Sequence, residues 1–125
     1  MVLVDTSVWI RSLSGRPGFV AELDRLLADN DVAGHELVYG ELLIGDTGGR
    51  KNLLRTYEQF YRAGMIPHYE VVDFVHRRGL HARGVGWINI HLLASALVSR
   101  MKLWTADPRF AAVAEEIGIA YRTAA

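Results

Sequence analysis

The sequence lacks cysteine altogether, and this absence excludes disulfide bonds and thiolate metal sites. It also lacks an excess of charge, because 14 lysines and arginines balance 14 aspartates and glutamates. A nucleic-acid-binding protein is usually basic overall, so such a function here requires a local patch of basic side chains. No apolar run reaches the roughly 20 residues of a membrane span, and the N-terminus lacks the basic start of a signal peptide. We therefore expect a cytoplasmic protein.

The hydrophobic content is sufficient for one domain. The chain has 125 residues, of which 50% are hydrophobic, so a sizeable core is available without covalent cross-links. No internal repeat, low-complexity tract or linker interrupts it. We predict a single domain over residues 1–125.

Short apolar segments alternate with amphipathic segments along the chain. The apolar segments predict strands over residues 2–4, 31–34, 102–105 and 119–122, whereas residues 65–69 are ambiguous. The amphipathic segments predict helices over residues 17–30, 35–44, 50–63, 71–82 and 87–100, with two more beginning near Val8 and Pro108. This alternation indicates an α/β fold, and we predict a three-layer α/β/α sandwich around a mostly parallel sheet.

Two acidic residues follow predicted strands. Asp5 ends the first strand, and Asp107 comes just after the third. Ligands of open parallel sheets bind beyond the carboxyl ends of the strands, so both carboxylates are expected at the same edge. The competing interpretation is helix capping, for which Asp107 before Pro108 is well suited. For the first helix, Thr6 or Ser7 can serve as the cap in place of Asp5.

Two polar residues interrupt apolar helix faces. Glu41 shares a helix face with Leu37 and Ile44, and Asn89 shares one with Leu92. A charge on an apolar face needs a partner, because burial of a lone charge is costly. For Glu41 the alternatives are an ion pair with a buried arginine or a helix rotated so that the carboxylate reaches solvent. For Asn89 they are a buried amide that forms hydrogen bonds with the backbone or a simple polar residue of the first helical turn. Together with the two aspartates, these side chains offer the oxygen ligands that Mg²⁺ or Mn²⁺ prefers.

Four segments of the chain, in order, resemble one protein family. The segments are Val-Asp-Thr-Ser-Val-Trp-Ile at 4–10, Tyr-Gly-Glu-Leu-Leu-Ile-Gly at 39–45, Gly-Trp-Ile-Asn-Ile-His-Leu-Leu-Ala-Ser-Ala-Leu at 86–97 and Leu-Trp-Thr-Ala-Asp-Pro-Arg-Phe at 103–110. They resemble the PIN-domain ribonucleases, and within them the VapC toxins of bacterial toxin–antitoxin pairs. Each motif alone is weak, but the four together span almost the whole chain.

The resemblance implies a complete site and its activity. The implied catalytic residues are Asp5, Glu41, Asn89 and Asp107. Three of them, Asp5, Asn89 and Asp107, would hold Mg²⁺ or Mn²⁺ directly or through water, and Glu41 would orient a water. Ser7 and Thr105 would bind a nearby water or a phosphate oxygen. The implied reaction is cleavage of RNA to 5′-phosphate and 3′-hydroxyl ends, and the implied partners are a second copy and a small antitoxin that blocks the site.

Asn89 departs from the family pattern, which usually has aspartate at this position. Asparagine keeps an oxygen and the shape of the side chain but loses one negative charge, so metal affinity should fall. The change is either natural or an engineered inactivation, and the sequence is compatible with both. A second hypothesis is therefore a catalytically silent PIN domain that binds RNA or antitoxin without cutting. A third is a phosphotransfer enzyme centred on Asp5, although Ser7 stands where such enzymes commonly have a second aspartate.

Other side chains carry weaker predictions. One of three basic groups is expected to contact RNA, namely Arg50, Lys51 and Arg55, or Arg77, Arg78 and Arg83, or Arg100 and Lys102. His76 and His81 are not expected to share a helix face, and His91 is expected to pack or form hydrogen bonds near the site. The tryptophans, Trp9, Trp87 and Trp104, are expected in the core or in an interface.

Overall fold

A small parallel sheet organises the protein. The computed structural model describes residues 1–123. Its strands are β1 (Val2–Val4), β2 (Val32–Ala33) and β3 (Lys102–Trp104), in the order β2-β1-β3. Both neighbours run parallel to β1, which pairs Leu3 with Ala33 on one side and with Leu103 on the other. The carboxyl ends of all three strands therefore lie at one edge.

Helices cover both faces of this sheet. Successive residues of a strand point to opposite faces, and in β1 Leu3 and Val4 are both 0% exposed. Burial on both faces is the pattern of a parallel sheet between helical layers, so the α/β sandwich predicted from the sequence is confirmed. In the described part of the chain the helices are α1 (Thr6–Leu13), α2 (Pro17–Ala28), α3 (Glu36–Ile44), α4 (Lys51–Tyr57), α5 (His68–Arg78), α6 (Trp87–Val98) and α7 (Pro108–Ile117). None of them is long and apolar enough to cross a membrane.

Local chemistry explains where several helices begin and end. Pro17 and Pro108 occupy the first turns of α2 and α7, where a missing backbone N–H costs nothing. Gly79 and Gly118 end α5 and α7 in the left-handed conformation, with φ angles of 64° and 85°. The sequence predicts α5 to continue to residue 82, but Gly79 ends it earlier.

The helix predicted over residues 50–63 is shorter in the structure. It is α4, which ends at Tyr57, and the next residues form turns. The backbone N–H of Gly34 donates to the carbonyl of Tyr61, and the N–H of Ala63 donates to the carbonyl of Gly34. These bonds extend the β2 edge of the sheet. They require an extended chain, so the helix cannot continue, and the side chain of Tyr61 is 66% exposed.

The strand predicted over residues 119–122 is reduced to a single bridge. Ala120 pairs in parallel with Leu103, and the backbone N–H of Tyr121 donates to the carbonyl of Leu103 at 2.8 Å. This short segment covers the outer edge of β3. Residues 124–125 lie outside the described part of the chain.

Candidate active site

Asp5 lies at the carboxyl end of β1 and is only 3% exposed. It occupies the N-cap position of α1, but its side chain makes no capping hydrogen bond. Its Oδ2 instead accepts hydrogen bonds from the hydroxyls of Ser7, at 2.7 Å, and Thr105, at 2.8 Å. The capping interpretation therefore fails for Asp5. The prediction that Thr6 or Ser7 caps this helix is also wrong, since α1 begins at Thr6.

Ser7 and Thr105 join Asp5 to the loop that carries Asp107. Their hydroxyl oxygens are 3.3 Å apart, and the backbone N–H of Asp107 donates to Thr105 Oγ1 at 3.1 Å. The backbone N–H of Ala106 donates to Ser7 Oγ at 3.0 Å. The two predicted acids therefore share a hydrogen-bonded network across neighbouring strands. This network follows from the parallel pairing of β1 with β3.

Asp107 also has the capping role that competed with a site role. Its Oδ1 accepts a hydrogen bond from the backbone N–H of Arg109 at 2.9 Å, at the start of α7. Capping uses only one carboxylate oxygen. No hydrogen bond to Oδ2 is found among residues 1–123, so capping leaves this oxygen available for another ligand.

Glu41 is linked to the site by a hydrogen bond from a residue of α1. The hydroxyl of Thr6, next to Asp5, donates to Glu41 Oε1 at 2.7 Å. The prediction that Glu41 lies on a buried apolar face is wrong in one respect, because Ile44 on that face is 88% exposed. Glu41 itself is half-buried within α3. Its position beside α1, rather than burial, connects it to the other acids.

Asn89 is half-buried in the first turn of α6. The residues on the same face, Leu92, Leu93 and Ala96, are all 0% exposed, so Asn89 does lie at the end of an apolar stripe as predicted. Its side chain forms no hydrogen bond with residues 1–123. The alternative of an amide satisfied by backbone is therefore not observed in this part of the chain.

The donor set of these residues fits a hard divalent cation. Asp5 Oδ1, Glu41 Oε2 and Asp107 Oδ2 accept no hydrogen bond from residues 1–123, so each acid keeps one oxygen for a ligand. Asp5 Oδ1 also retains contact with solvent, because it accepts no hydrogen bond from these residues and yet is not fully enclosed by the protein. Oxygen atoms of this kind are the ligands of Mg²⁺ and Mn²⁺. In the same part of the chain no three acidic or histidine side chains are close enough to hold one ion directly.

A buried histidine, His35, links helices α3 and α6, which carry Glu41 and Asn89. His35 is 0% exposed, and its Nδ1 accepts the backbone N–H of Leu37 at 3.0 Å, which caps α3. Its Nε2 must then carry the proton, and it lies 2.9 Å from the hydroxyl of Ser95 on α6. Burial lowers the pKa of His35 to about 4, with a smaller effect from His91. The sequence analysis missed this pair, although a polar residue before Glu36 is a capping signal.

His91 lies on the same helix and has a different environment. It is 8% exposed, and its Nδ1 has no partner among residues 1–123. Its ring meets the edge of Trp87 at 4.9 Å, and Trp87 also lies 5.5 Å from His68. Burial, followed by the charge of His68, lowers the pKa of His91. His91 therefore packs against Trp87, in agreement with the expected packing role.

The basic groups selected from the sequence are partly committed to structural contacts. Arg50 donates to the carbonyl of Leu42 at 2.9 Å, and Lys102 donates to the carbonyl of Gly118 at 3.2 Å. Two further arginines form ion pairs, Arg77 with Asp73 and Arg83 with Glu116. Arg77 and Arg83 are therefore neutralised by carboxylates, whereas Arg50 and Lys102 keep their positive charge beside the carbonyls to which they donate.

Two arginines that the sequence analysis passed over lie beside the acids. Arg11 donates to the carbonyl of Ser7 at 3.2 Å, one helical turn from that residue. Arg109 follows Asp107 by two positions, and its side chain packs against Gly84, where an added Cβ would lie 2.7 Å from it. Within residues 1–123 neither guanidinium forms an ion pair. The sequence contained a signal for each arginine. Arg11 lies one helical turn after Ser7, and Arg109 lies two positions after Asp107.

The remaining predictions concern aromatic and histidine rings. Trp9 and Trp104 are 3% and 4% exposed, as expected for the core, whereas Trp87 is 44% exposed. His76 and His81 do not share a helix face, as predicted, because α5 ends at Arg78 and His81 lies in the following loop. The loop turns back towards α5, so the two rings nevertheless lie 5.3 Å apart.

Comparisons with known proteins agree with this geometry. The sequence profile of the PIN domain matches residues 2–116. Ribonuclease VapC32 of Mycobacterium tuberculosis, found in the CDC 1551 / Oshkosh and H37Rv strains, is 40% identical over 121 residues, covering 96% of this chain and 95% of the relative. The crystal structure of PAE2754 from Pyrobaculum aerophilum superposes with a TM-score of 0.56 at 18% identity, covering 89% of this chain and 77% of that one, and supports the fold. The chain therefore belongs to the PIN-domain family and is a VapC-type member of it.

Proposed function

We propose that this protein is a metal-dependent endoribonuclease and the toxin of a toxin–antitoxin pair, built as one PIN domain over residues 1–125. The observation that carries the proposal is Asp5, a carboxylate that is 3% exposed yet keeps one oxygen for a ligand. Burial of a carboxylate is costly unless hydrogen bonds or a cation compensate it. The 40% identity to a ribonuclease of known family supports RNA as the substrate.

Each residue of the site has its own proposed role. Asp5, Asn89 and Asp107 would hold Mg²⁺ or Mn²⁺ directly or through water. When bound, the ion supplies activation of water and neutralisation of the phosphate charge. Glu41 orients a water, and its hydrogen bond from Thr6 at 2.7 Å fixes the direction of its free oxygen.

Ser7 and Thr105 orient the buried carboxylate. Both hydroxyls donate to Asp5 Oδ2, so the side chain cannot rotate without losing two hydrogen bonds. Oδ1, which accepts no hydrogen bond from residues 1–123, is the oxygen that would bind the ion. Groups that orient metal ligands commonly affect metal affinity by roughly 10- to 100-fold.

Arg11 and Arg109 are the cations that we propose to contact the RNA backbone. Each lies beside a residue of the acid network, and neither is paired with a carboxylate among residues 1–123. A guanidinium binds a phosphate through two parallel hydrogen bonds, which suits it to position a strand. Two such groups also explain how a chain without net charge binds a polyanion.

Asn89 weakens the site, and one comparison tests both the function and this residue. Total RNA is incubated with this chain and with Asn89→Asp, in Mg²⁺ or Mn²⁺ and with EDTA. We expect Asn89→Asp to cut RNA faster, with EDTA abolishing the cutting. The matched control is Asn52→Asp, which adds the same charge on an exposed residue of α4 and should leave cutting unchanged.

The outcomes separate the hypotheses. If neither chain cuts RNA with any metal, the ribonuclease proposal fails. If Asn89→Asp cuts and the original chain binds RNA without cutting, the second hypothesis, a silent PIN domain, holds for this chain. A phosphorylated Asp5 after incubation with a phosphodonor would instead favour the phosphotransfer hypothesis.

The proposed protein partners are an antitoxin and a second copy of the chain. Helices α1 and α3 contact each other and expose large apolar side chains, namely Ile10, Leu13, Leu43 and Ile44. Exposed apolar surface of this kind is typical of protein interfaces. Sedimentation of the purified chain tests the dimer, and co-purification with the product of a neighbouring small reading frame tests the antitoxin. We expect Ile44→Glu to weaken at least one of these associations without unfolding the chain.

A further inference from the structure

A cleft lies beside the acid network, on the side of α2. Its volume is about 650 Å³, which is within the range of roughly 300–1,000 Å³ that is common for sites of small molecules. It is lined by Gly18, Phe19, Ala21, Glu22, Arg25, Trp104, Thr105 and Thr123. None of these residues except Thr105 belongs to the site described above.

Thr105 is shared between the cleft and the acid network. Its hydroxyl donates to Asp5 Oδ2 at 2.8 Å, and the residue also lines the cleft. The cleft therefore adjoins the proposed cutting site at Thr105. An RNA strand whose phosphate lies at Asp5 would have its adjoining nucleoside near the cleft.

One wall of the cleft is aromatic. Phe19 stacks on Trp104, with ring centroids 6.0 Å apart and an interplanar angle of 15°. Because Trp104 is 4% exposed, the half-buried Phe19 offers the accessible ring. Trp104 also contacts the ring of Tyr121 at 5.6 Å. Aromatic and apolar walls favour nucleobases, because every base has an apolar face.

The charges that line the cleft favour a neutral ligand with N–H donors over a phosphate. Arg25 is engaged by two carboxylates, those of Glu22 and Asp29. Hydrogen bonds from Tyr121 and Arg25 lower the pKa of Glu22, so its carboxylate stays ionised. All three of these hydrogen bonds, two from Arg25 and one from Tyr121, fall on Oε1, and Oε2 accepts none from residues 1–123. A carboxylate oxygen without a donor repels phosphate and accepts hydrogen bonds from the edge of a base.

We propose that the cleft between α2 and β3 binds one nucleobase of the RNA, next to the phosphate held at Asp5, with Glu22 Oε2 accepting a hydrogen bond from the base. The proposal rests on the proposed ribonuclease function and adds a source of base preference to it. Glu22 and the aromatic wall select the base, whereas the acid network acts on the phosphate.

Gly18 allows the cleft to be filled without disturbing the fold. It lines the cleft, has no positive φ angle, and an added Cβ would meet no atom within 4 Å. Gly18→Leu therefore places a side chain in the space of the base. Gly64 has the same freedom but does not line the cleft, so Gly64→Leu is the matched control.

The first experiment measures binding without cutting. The ¹⁵N-labelled chain is titrated with AMP, GMP, CMP and UMP in EDTA, and with ribose 5-phosphate as a ligand that lacks a base. We expect at least one nucleotide to shift the amide signals of Gly18, Ala21 and Thr105, whereas ribose 5-phosphate should not. Gly18→Leu should weaken this binding roughly tenfold or more, and Gly64→Leu should not change it. Equal shifts with ribose 5-phosphate, or none with any nucleotide, would overturn the proposal.

The second experiment measures base preference during cutting. In the Asn89→Asp background, oligoribonucleotides that carry one abasic residue at successive positions around the cut are compared. We expect one abasic position to lower the cutting rate roughly tenfold, and Gly18→Leu to remove this difference. If RNA is cut equally at every abasic position, the cleft does not hold a base, although the ribonuclease function stands. If RNA is never cut but nucleotides still bind the cleft, the ribonuclease function fails and the binding site stands.

Discussion

His35 should make the stability of this protein depend on pH in a range where few other side chains titrate. The ring is fully buried, and both nitrogens are engaged, with Leu37 N–H and with the Ser95 hydroxyl. Protonation requires Nδ1 to become a donor, so the cap of α3 would be lost. Burial accordingly holds the pKa of His35 at about 4 in the folded chain, against an ordinary value of about 6.5.

The sign and size of the effect follow from this pKa difference. The unfolded chain takes up a proton at His35 near pH 6.5, while the folded chain resists it down to about pH 4. The contribution of neutral His35 to the free energy of unfolding is therefore complete above about pH 6.5. It is lost as the pH falls, by about 1.4 kcal/mol per pH unit, and the total is roughly 3 kcal/mol.

Urea unfolding of the wild-type chain and of His35→Asn tests this prediction. Asparagine can still cap α3 but does not titrate, and we expect it to cost roughly 1–3 kcal/mol at neutral pH. Between about pH 6.5 and about pH 5 the difference between the two chains should shrink by roughly 2 kcal/mol. His81→Asn, at an exposed position, should leave the wild-type pH dependence intact. A constant difference between His35→Asn and wild type would refute the assignment of this titration to His35.

Three further substitutions have expected outcomes. Thr105→Val removes one of the two hydroxyls that hold Asp5, and we expect Mn²⁺ affinity, measured by calorimetry, to fall roughly 10- to 100-fold; an unchanged affinity would exclude a role for this hydroxyl. Tyr57→Phe deprives the buried backbone N–H of His35 of its acceptor at 2.9 Å, so thermal unfolding should show a loss of roughly 1–3 kcal/mol, and a smaller loss would mean that water replaces the hydroxyl. Gly34→Ala adds a Cβ 3.2 Å from the ring of Tyr57, and we expect denaturant unfolding to show destabilisation of roughly 1–3 kcal/mol, whereas wild-type stability would show that the ring can shift.

Much of the fold was predictable because its signals are local. The helices at residues 17–28, 36–44, 87–98 and 108–117 follow from apolar spacing and from proline or glycine at their ends. The end of α4 was not predictable in this way. Tyr57 and Tyr61 occupy the same predicted stripe, yet one is 0% and the other 66% exposed. Pairing of residues 61–63 with Gly34 decides this difference, and it joins segments about 28 residues apart in sequence.

Local sequence patterns identify the acidic residues that follow strands, and the family resemblance groups them with Glu41 and Asn89. Parallel strands share an edge, so Asp5 and Asp107 had to converge once the sheet was predicted. Tertiary structure decided the rest, because hydrogen bonds between distant segments have no local pattern. In the folded chain Asp5 makes no capping hydrogen bond, and Thr6 donates to Glu41. Arg11 and Arg109 lie next to Ser7 and Asp107. The candidate site residues can thus be identified from the sequence, whereas their orientation and their cationic neighbours depend on tertiary packing.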